Sequence, residues 1–205
     1  YAPRLSLFYE VIFDSEAKYL KEASFSLLQR SVVLKTGDST GDTDIRISET
    51  GWLKDRSHPV VERLGRRVEL ITGLSTRQYP YASHAEDFQV LNYGIGGMYE
   101  PHPDSFGVSL PSLDRMGISS RYLQGSGDRM ATWLFYLEDV KAGGATAFVD
   151  INVTVPVVKG AAAFWYNIKK SGEVDANTLH AGCPVLLGSK WISNKWIRER
   201  GQLFR

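Results

Sequence analysis

Cysteine is nearly missing: the 205 residues carry one, Cys183. A single thiol excludes a disulfide framework or an all-cysteine zinc site within this segment, and alone it reads as a small buried hydrophobe. Histidine is scarce as well, at 4 residues, so a metal site built on imidazole has only His58, His84, His102 and His180 to draw on. Neither sign of charge dominates. With 24 basic and 23 acidic side chains the formal charge is +1, which supplies no attraction for nucleic acid or an anionic membrane. No apolar run is long enough to span a bilayer. The opening "YAPRLSLF" has neither Met nor the basic and apolar regions of a signal peptide, and reads as an excised domain or mature fragment. Internal repeats and low-complexity tracts are lacking too.

What is there suits one hydrophobic core. Residues 1–205 read as a single domain, with 1–80 a helical and strand support region and 81–205 a β-rich core. Asp14, Ser15 and Glu16 place cap and acidic residues before "AKYLKEA", a helix start. After Pro59, Val61, Leu64, Val68 and Ile71 recur at helical spacing until Gly73 supplies a stop. The polar "TGDSTGDTD", 36–44, reads as a loop. From about residue 88 the pattern turns to short strands: "FQVLNY", "MATWLFYL", "ATAFV", "NVTVPVV", "GAAAFWYN", "CPVLL" and "KWISNKWI", separated by Gly, Pro, Asn or Asp. The expected class is α+β, mainly β: a sandwich or jelly roll with the helices on its outside. The stretch 105–128 is the longest irregular one and reads as a functional loop. "NVT" at 152–154 is a glycosylation sequon, compatible with a secretory lumen.

The stretch with most chemistry is "YGIGGMYEPHPDSFG", 93–107. "GIGG" has no Lys-Ser/Thr behind it and no helix after it, so it is read as a tight turn bringing backbone near a site, not a phosphate loop. In an extended chain His102 and Asp104 point to the same side, and Pro103 keeps His102 extended. Together they form two legs of a transition-metal site. His58 at a helix start and His84 in "YASHAED" read as solvated surface residues, while His180 enters a strand-like run. His102, Asp104 and His180 make a two-histidine, one-carboxylate set that leaves positions open, as non-haem Fe(II) oxygenases require. A fourth ligand, which would close a structural zinc site, is not found.

Ten residues past His180 stands Lys190. Along an extended "KWISNKW", Lys190, Ile192, Asn194 and Trp196 share a face. A lysine on an inward apolar face needs an anion, because an unpaired buried charge is very costly. Fe(II) with one aspartate is +1 and Lys190 adds another, so a dicarboxylate such as 2-oxoglutarate neutralises the site. A jelly-roll module that binds proline-rich peptide over a vestigial metal site is the alternative reading.

The motifs "YEPHPD", "DRMATWLFYL", "AGGAT", "GAAAFWYN" and "HAGCPVLLGSKWISNKWIRERGQ", taken in order, resemble the catalytic domain of the collagen prolyl 4-hydroxylase α subunit. The resemblance covers nearly the whole chain and is densest from residue 88 onward. It implies a double-stranded β-helix and a dioxygenase using Fe(II), 2-oxoglutarate, O2 and ascorbate. It implies hydroxylation of proline at C4 in X-Pro-Gly sequences of procollagen-like chains in the endoplasmic reticulum, with protein disulfide isomerase as β subunit. By that resemblance His102, Asp104 and His180 hold iron and Lys190 anchors 2-oxoglutarate. Tyr93 and Thr146 place hydroxyls near the cosubstrate, and Tyr99, Arg129 and Trp196 hold the substrate proline. The resemblance also implies that Cys183 pairs with a cysteine beyond the final "GQLFR". Two features depart from the family pattern: proline in the middle of H-x-D, and the stretch 105–128.

Overall fold

In a computed structural model the described residues are 3–31, 46–78, 83–107 and 126–202. Among them are helices α1 (Asp14–Phe25) and α2 (Pro59–Thr72). The first strands are β1 (Leu5–Phe8), β2 (Gln29–Arg30), β3 (Glu49–Leu53), β4 (Phe88–Tyr93), β5 (Tyr99–His102) and β6 (Arg129–Tyr136). They are followed by β7 (Ala142–Gly143), β8 (Thr146–Phe148), β9 (Val153–Val155), β10 (Ala162–Tyr166), β11 (His180–Gly182), β12 (Val185–Leu187) and β13 (Lys190–Arg198). The loop expected at 36–44 lies outside the described residues, as do 108–125 of the irregular stretch and 203–205 of "GQLFR".

Both helices form for the reasons legible in their sequence. Glu16 Oε2 accepts the Phe13 N–H at 3.0 Å, satisfying a donor at the start of α1. His58 caps α2 by accepting the Val60 N–H on Nδ1, Pro59 occupies the first turn, and Gly73 ends the helix at φ 72. Val61, Leu64 and Val68 are fully buried, each contributing about 1.5–3 kcal/mol. Ile71, expected on the same stripe, lies at its exposed edge, 36% accessible.

The strands form an antiparallel sheet in the order β1-β10-β6-β13-β4-β3-β2 and a smaller one in the order β5-β11-β8-β9, with β12 and β7 paired separately. This is the expected mainly β fold, a double-stranded β-helix with helices outside. The N-terminal strands extend the larger sheet at both ends, β1 on β10 and β3 on β4. One face of that sheet packs Phe88, Val90, Trp133, Phe135 and Ile197 against the helices. The other turns Leu91, Tyr93, Leu134, Tyr136 and Ile192 toward the smaller sheet. Period-two alternation on β4, β6 and β13 thus gives each strand a helix side and a cavity side.

Lys195 is a fully buried lysine on the helix side. Its ammonium is bonded to both Asp55 oxygens and the Glu86 carbonyl, and lies 4.6 Å from the Phe88 ring centre. These bonds tie the loop after β3 and the segment before β4 to β13. The "GIGG" turn is tight as expected, with Gly97 N–H on Gly94 O at 2.8 Å. Its close approach, however, is to the Ile47 carbonyl, 2.9 Å from where a Gly97 Cβ would stand. The glycines serve packing between backbone segments and do not line the site.

Candidate metal centre

His102 and His180 are directly opposed across β5 and β11, and Asp104 follows two residues after His102. Pleated geometry therefore delivers all three side chains to one point. Their ligand atoms lie within 4.8 Å of one another. His102 Nε2 is 3.9 Å from Asp104 Oδ1, and His180 Nε2 is 3.7 Å from Asp104 Oδ2.

The ring orientations are fixed from behind. His102 Nδ1 is 2.7 Å from the Glu100 carbonyl, and His180 Nδ1 is 2.9 Å from the Thr178 carbonyl. A carbonyl can only accept, so each Nδ1 carries a proton and each ring turns its Nε2 toward the shared point. Tyr99 stacks on His102 with ring centres 3.4 Å apart. Trp165 and Phe148 wall His180 at 4.9 and 5.6 Å.

A relay orients the carboxylate. Asn167 Nδ2 donates to Thr132 Oγ1 at 2.9 Å, and Thr132 donates to Asp104 Oδ2 at 2.6 Å. With its lone pair engaged by the amide, the hydroxyl gives its proton to Asp104, leaving Oδ1 facing His102.

Charge follows this arrangement. Burial, with His180 close by, pushes His102 down to about 3, so it stays neutral and available as a ligand. Burial acts to raise Asp104, but His180, His102, Arg129 and the Thr132 bond together hold it below the ordinary carboxylate value. Burial raises Tyr99 to about 12, keeping the phenol protonated.

These groups line an open cavity of about 820 Å³. Tyr93, Tyr99, His102, Asp104, Arg129, Thr146, His180, Lys190 and Trp196, the residues singled out in the sequence, all border it. Lys190 is 2% accessible and pairs in register with Tyr93, whose ring centre is 5.6 Å from its ammonium. Among the described residues it has no carboxylate partner, and burial pushes it down to about 8. Thr146 receives the Tyr136 hydroxyl proton at 3.0 Å. Arg129 stacks on Trp196, its guanidinium carbon 3.5 Å from the ring centre. It is forked to Glu86 at 2.6 and 2.8 Å, and Arg198 reaches the same carboxylate at 2.7 Å.

Two histidines differ from the reading of solvated surface residues. His58 is half-buried and stacked on Tyr19 with ring centres 4.1 Å apart. His84 is half-buried with Nδ1 2.8 Å from Ser75 Oγ. Both serve local structure, the capping of α2 and the packing of the segment before β4.

Sequence reasoning missed Arg46, Glu86, Gln89 and Thr132. Arg46 lies 4.9 Å over the Tyr99 ring and 3.4 Å from Gln89 Oε1. It stands between Ile45 and Ile47, just past the polar 36–44 segment, and no motif marked it. Gln89 pairs in register with Asn194, and a polar residue on the inward face of each strand was a usable signal. So was strand alternation for Thr132, which stands two residues before the cavity-lining Leu134.

The donor set suits Fe(II): two neutral imidazoles and one carboxylate converge, with no fourth ligand among the described residues. The lone buried lysine in the same cavity suits a dianionic cosubstrate. Fold and donor set together define the kind of site used by non-haem iron oxygenases. Residues 88–198 match the 2OG-Fe(II) oxygenase superfamily, and the chain belongs to that family.

Human prolyl 4-hydroxylase subunit alpha-3 is 48% identical over 99% of this chain, and human subunit alpha-1 is 44% identical over 99% of it. The chain spans about a third of these relatives, 35% and 36% of their lengths. A viral collagen prolyl hydroxylase from Paramecium Bursaria Chlorella virus-1, solved with 2OG, shares the fold: TM-score 0.69, 24% identity and 95% coverage of both chains. A Trichoplax adhaerens prolyl hydroxylase, solved with a peptide fragment, superposes at TM-score 0.63 with 14% identity, covering 95% of this chain and 83% of that one.

Proposed function

We propose that residues 1–205 form one catalytic domain that hydroxylates peptidyl proline at C4 in procollagen-like X-Pro-Gly sequences. The reaction consumes 2-oxoglutarate and O2, yields 4-hydroxyproline, succinate and CO2, and uses ascorbate to sustain the iron. The observation that carries this reading is one cavity with a His-Asp-His set and a buried lysine that has no carboxylate partner among the described residues. The identity of 44% and 48% to prolyl 4-hydroxylase subunits over 99% of the chain supports the proline substrate.

Bound Fe(II), with 2-oxoglutarate and O2, supplies the oxidising power that turns a C–H bond into C–OH. The chain supplies position and electrostatics. His102, Asp104 and His180 hold the metal, the first and last through Nε2. Lys190 would pair with a carboxylate of 2-oxoglutarate, and Tyr93 and Thr146 line the same cavity beside it. A polyproline II peptide is stiff and presents ring faces, which Tyr99 and the Trp196–Arg129 stack receive. Arg46, over the Tyr99 ring, completes that wall.

The same reading assigns the protein to the endoplasmic reticulum lumen, as an α-type subunit with protein disulfide isomerase as β subunit. The likeness to alpha subunits of prolyl 4-hydroxylase supports the α-type subunit.

The test is succinate formation from 2-oxoglutarate with Fe(II) and ascorbate, with and without a Pro-Pro-Gly repeat peptide, followed by peptide mass spectrometry. Peptide-stimulated succinate with one oxygen gained on proline is the expected result. Peptide binding without turnover, at full iron loading, would favour the vestigial binding module.

A further inference from the structure

We infer that Asn152 is an N-linked glycosylation site, carrying an oligosaccharide that covers the open edge of the smaller sheet. The inference rests on the luminal location proposed above.

Asn152-Val153-Thr154 is the only Asn-X-Ser/Thr triplet among the five asparagines of the chain, and its middle residue is not proline. It is also the only asparagine with an exposed side chain: Asn167 and Asn194 are buried, Asn92 and Asn177 half-buried. Asn152 sits in the turn joining β8 and β9, at φ 53, a left-handed conformation that asparagine tolerates. Its backbone N–H closes the turn on Val149 O at 3.4 Å. Neither its amide side chain nor the Thr154 hydroxyl bonds to another described residue. Thr154 is exposed as well, so both groups an oligosaccharyl transferase reads are free.

The place has a purpose. β9 pairs only with β8 and is the edge of its sheet, so its outer N–H and C=O groups form a template for unwanted pairing. No charged side chain blunts this strand, Val-Thr-Val. Its turn also carries two exposed valines, Val149 at 41% and Val153 at 39%. A hydrated glycan on Asn152 masks both features, and the turn does not line the cavity.

The chemistry is a simple transfer. The Asn152 amide nitrogen forms a bond to sugar C1, loses one proton, and C1 parts from the pyrophosphate of a lipid-linked oligosaccharide.

The test uses the full-length protein produced in secretory-competent eukaryotic cells. Peptide-N-glycosidase treatment should lower its mass and convert Asn152 to aspartate. Asn152→Gln and Thr154→Val should abolish the shift, Thr154→Ser should keep it, and turnover should be the same in all. A control sequon is placed on the exposed 171–173 turn by Ser171→Asn with Glu173→Thr. A glycan on the control with an unmodified Asn152 overturns the inference while the luminal reading stands. A bare control and a bare Asn152 overturn both.

Discussion

Thr132 donates to Asp104 Oδ2 at 2.6 Å while receiving the Asn167 amide proton at 2.9 Å. One hydroxyl therefore decides which carboxylate oxygen remains for the metal. Thr132→Val keeps the shape and deletes the donor. Metal affinity should fall roughly tenfold to a hundredfold, read by titration of the metal-free protein with Fe(II) or Co(II) under anaerobic conditions, whereas Thr132→Ser should restore it. Unchanged affinity would remove Thr132 from the site.

Glu86 stands between two guanidiniums, forked to Arg129 and bonded to Arg198. Glu86→Gln leaves two buried cations without their anion, and stability should drop by about 3–5 kcal/mol in denaturant unfolding. In the folded fraction Arg129 loses its hold over Trp196, so the KM for peptide should rise while 2-oxoglutarate turnover without peptide persists. An equal loss of both would contradict a role for the stack in peptide binding.

Lys190 ionises near 8 when the cavity holds no anion, because burial disfavours its charge. Above that pH, 2-oxoglutarate must bring a proton with it, so its affinity should fall with rising pH, by up to about tenfold per pH unit. Lys190→Met removes a charge-assisted bond worth about 1.5–3 kcal/mol, on the order of ten- to a hundredfold in affinity. The variant should also flatten the pH dependence. Calorimetry with the metal-loaded protein under nitrogen checks both.

His102 is held down to about 3 from an ordinary 6.5. Between those values the unfolded chain binds a proton that the folded chain refuses, so stability of the metal-free protein falls as pH falls. The slope for this one group is at most about 1.4 kcal/mol per pH unit. Asp104, held below its ordinary value, adds a loss of the same sign at lower pH. Urea unfolding at about pH 7 and about pH 5 measures the effect, and His102→Gln should reduce it.

The legible parts of the sequence were those set by local period. "FQVLNY" is β4 residue for residue, and "KWISNKWI" lies within β13. Alternation along β13 placed Lys190 and Trp196 on the cavity side. Asp104 was legible because it lies two residues from His102, and His180 because so few histidines exist. Long-range relations were not legible. β1 joins β10 through Leu5 and Trp165, a pairing with no local trace. Glu86 and Arg46 gain their places only when distant segments meet. Lys195 differs from Lys190 by which side of one strand it faces, yet it finds Asp55 across 140 residues, a partner that periodicity cannot name.

The most direct measurement is a crystal structure of the protein loaded with Fe(II) and 2-oxoglutarate without oxygen, with the metal located by anomalous scattering at the iron edge. The expected result is one iron bound by His102 Nε2, Asp104 Oδ1 and His180 Nε2, with the far carboxylate of 2-oxoglutarate on Lys190 Nζ. Iron elsewhere, or 2-oxoglutarate bound without contact to Lys190, would contradict the proposed site.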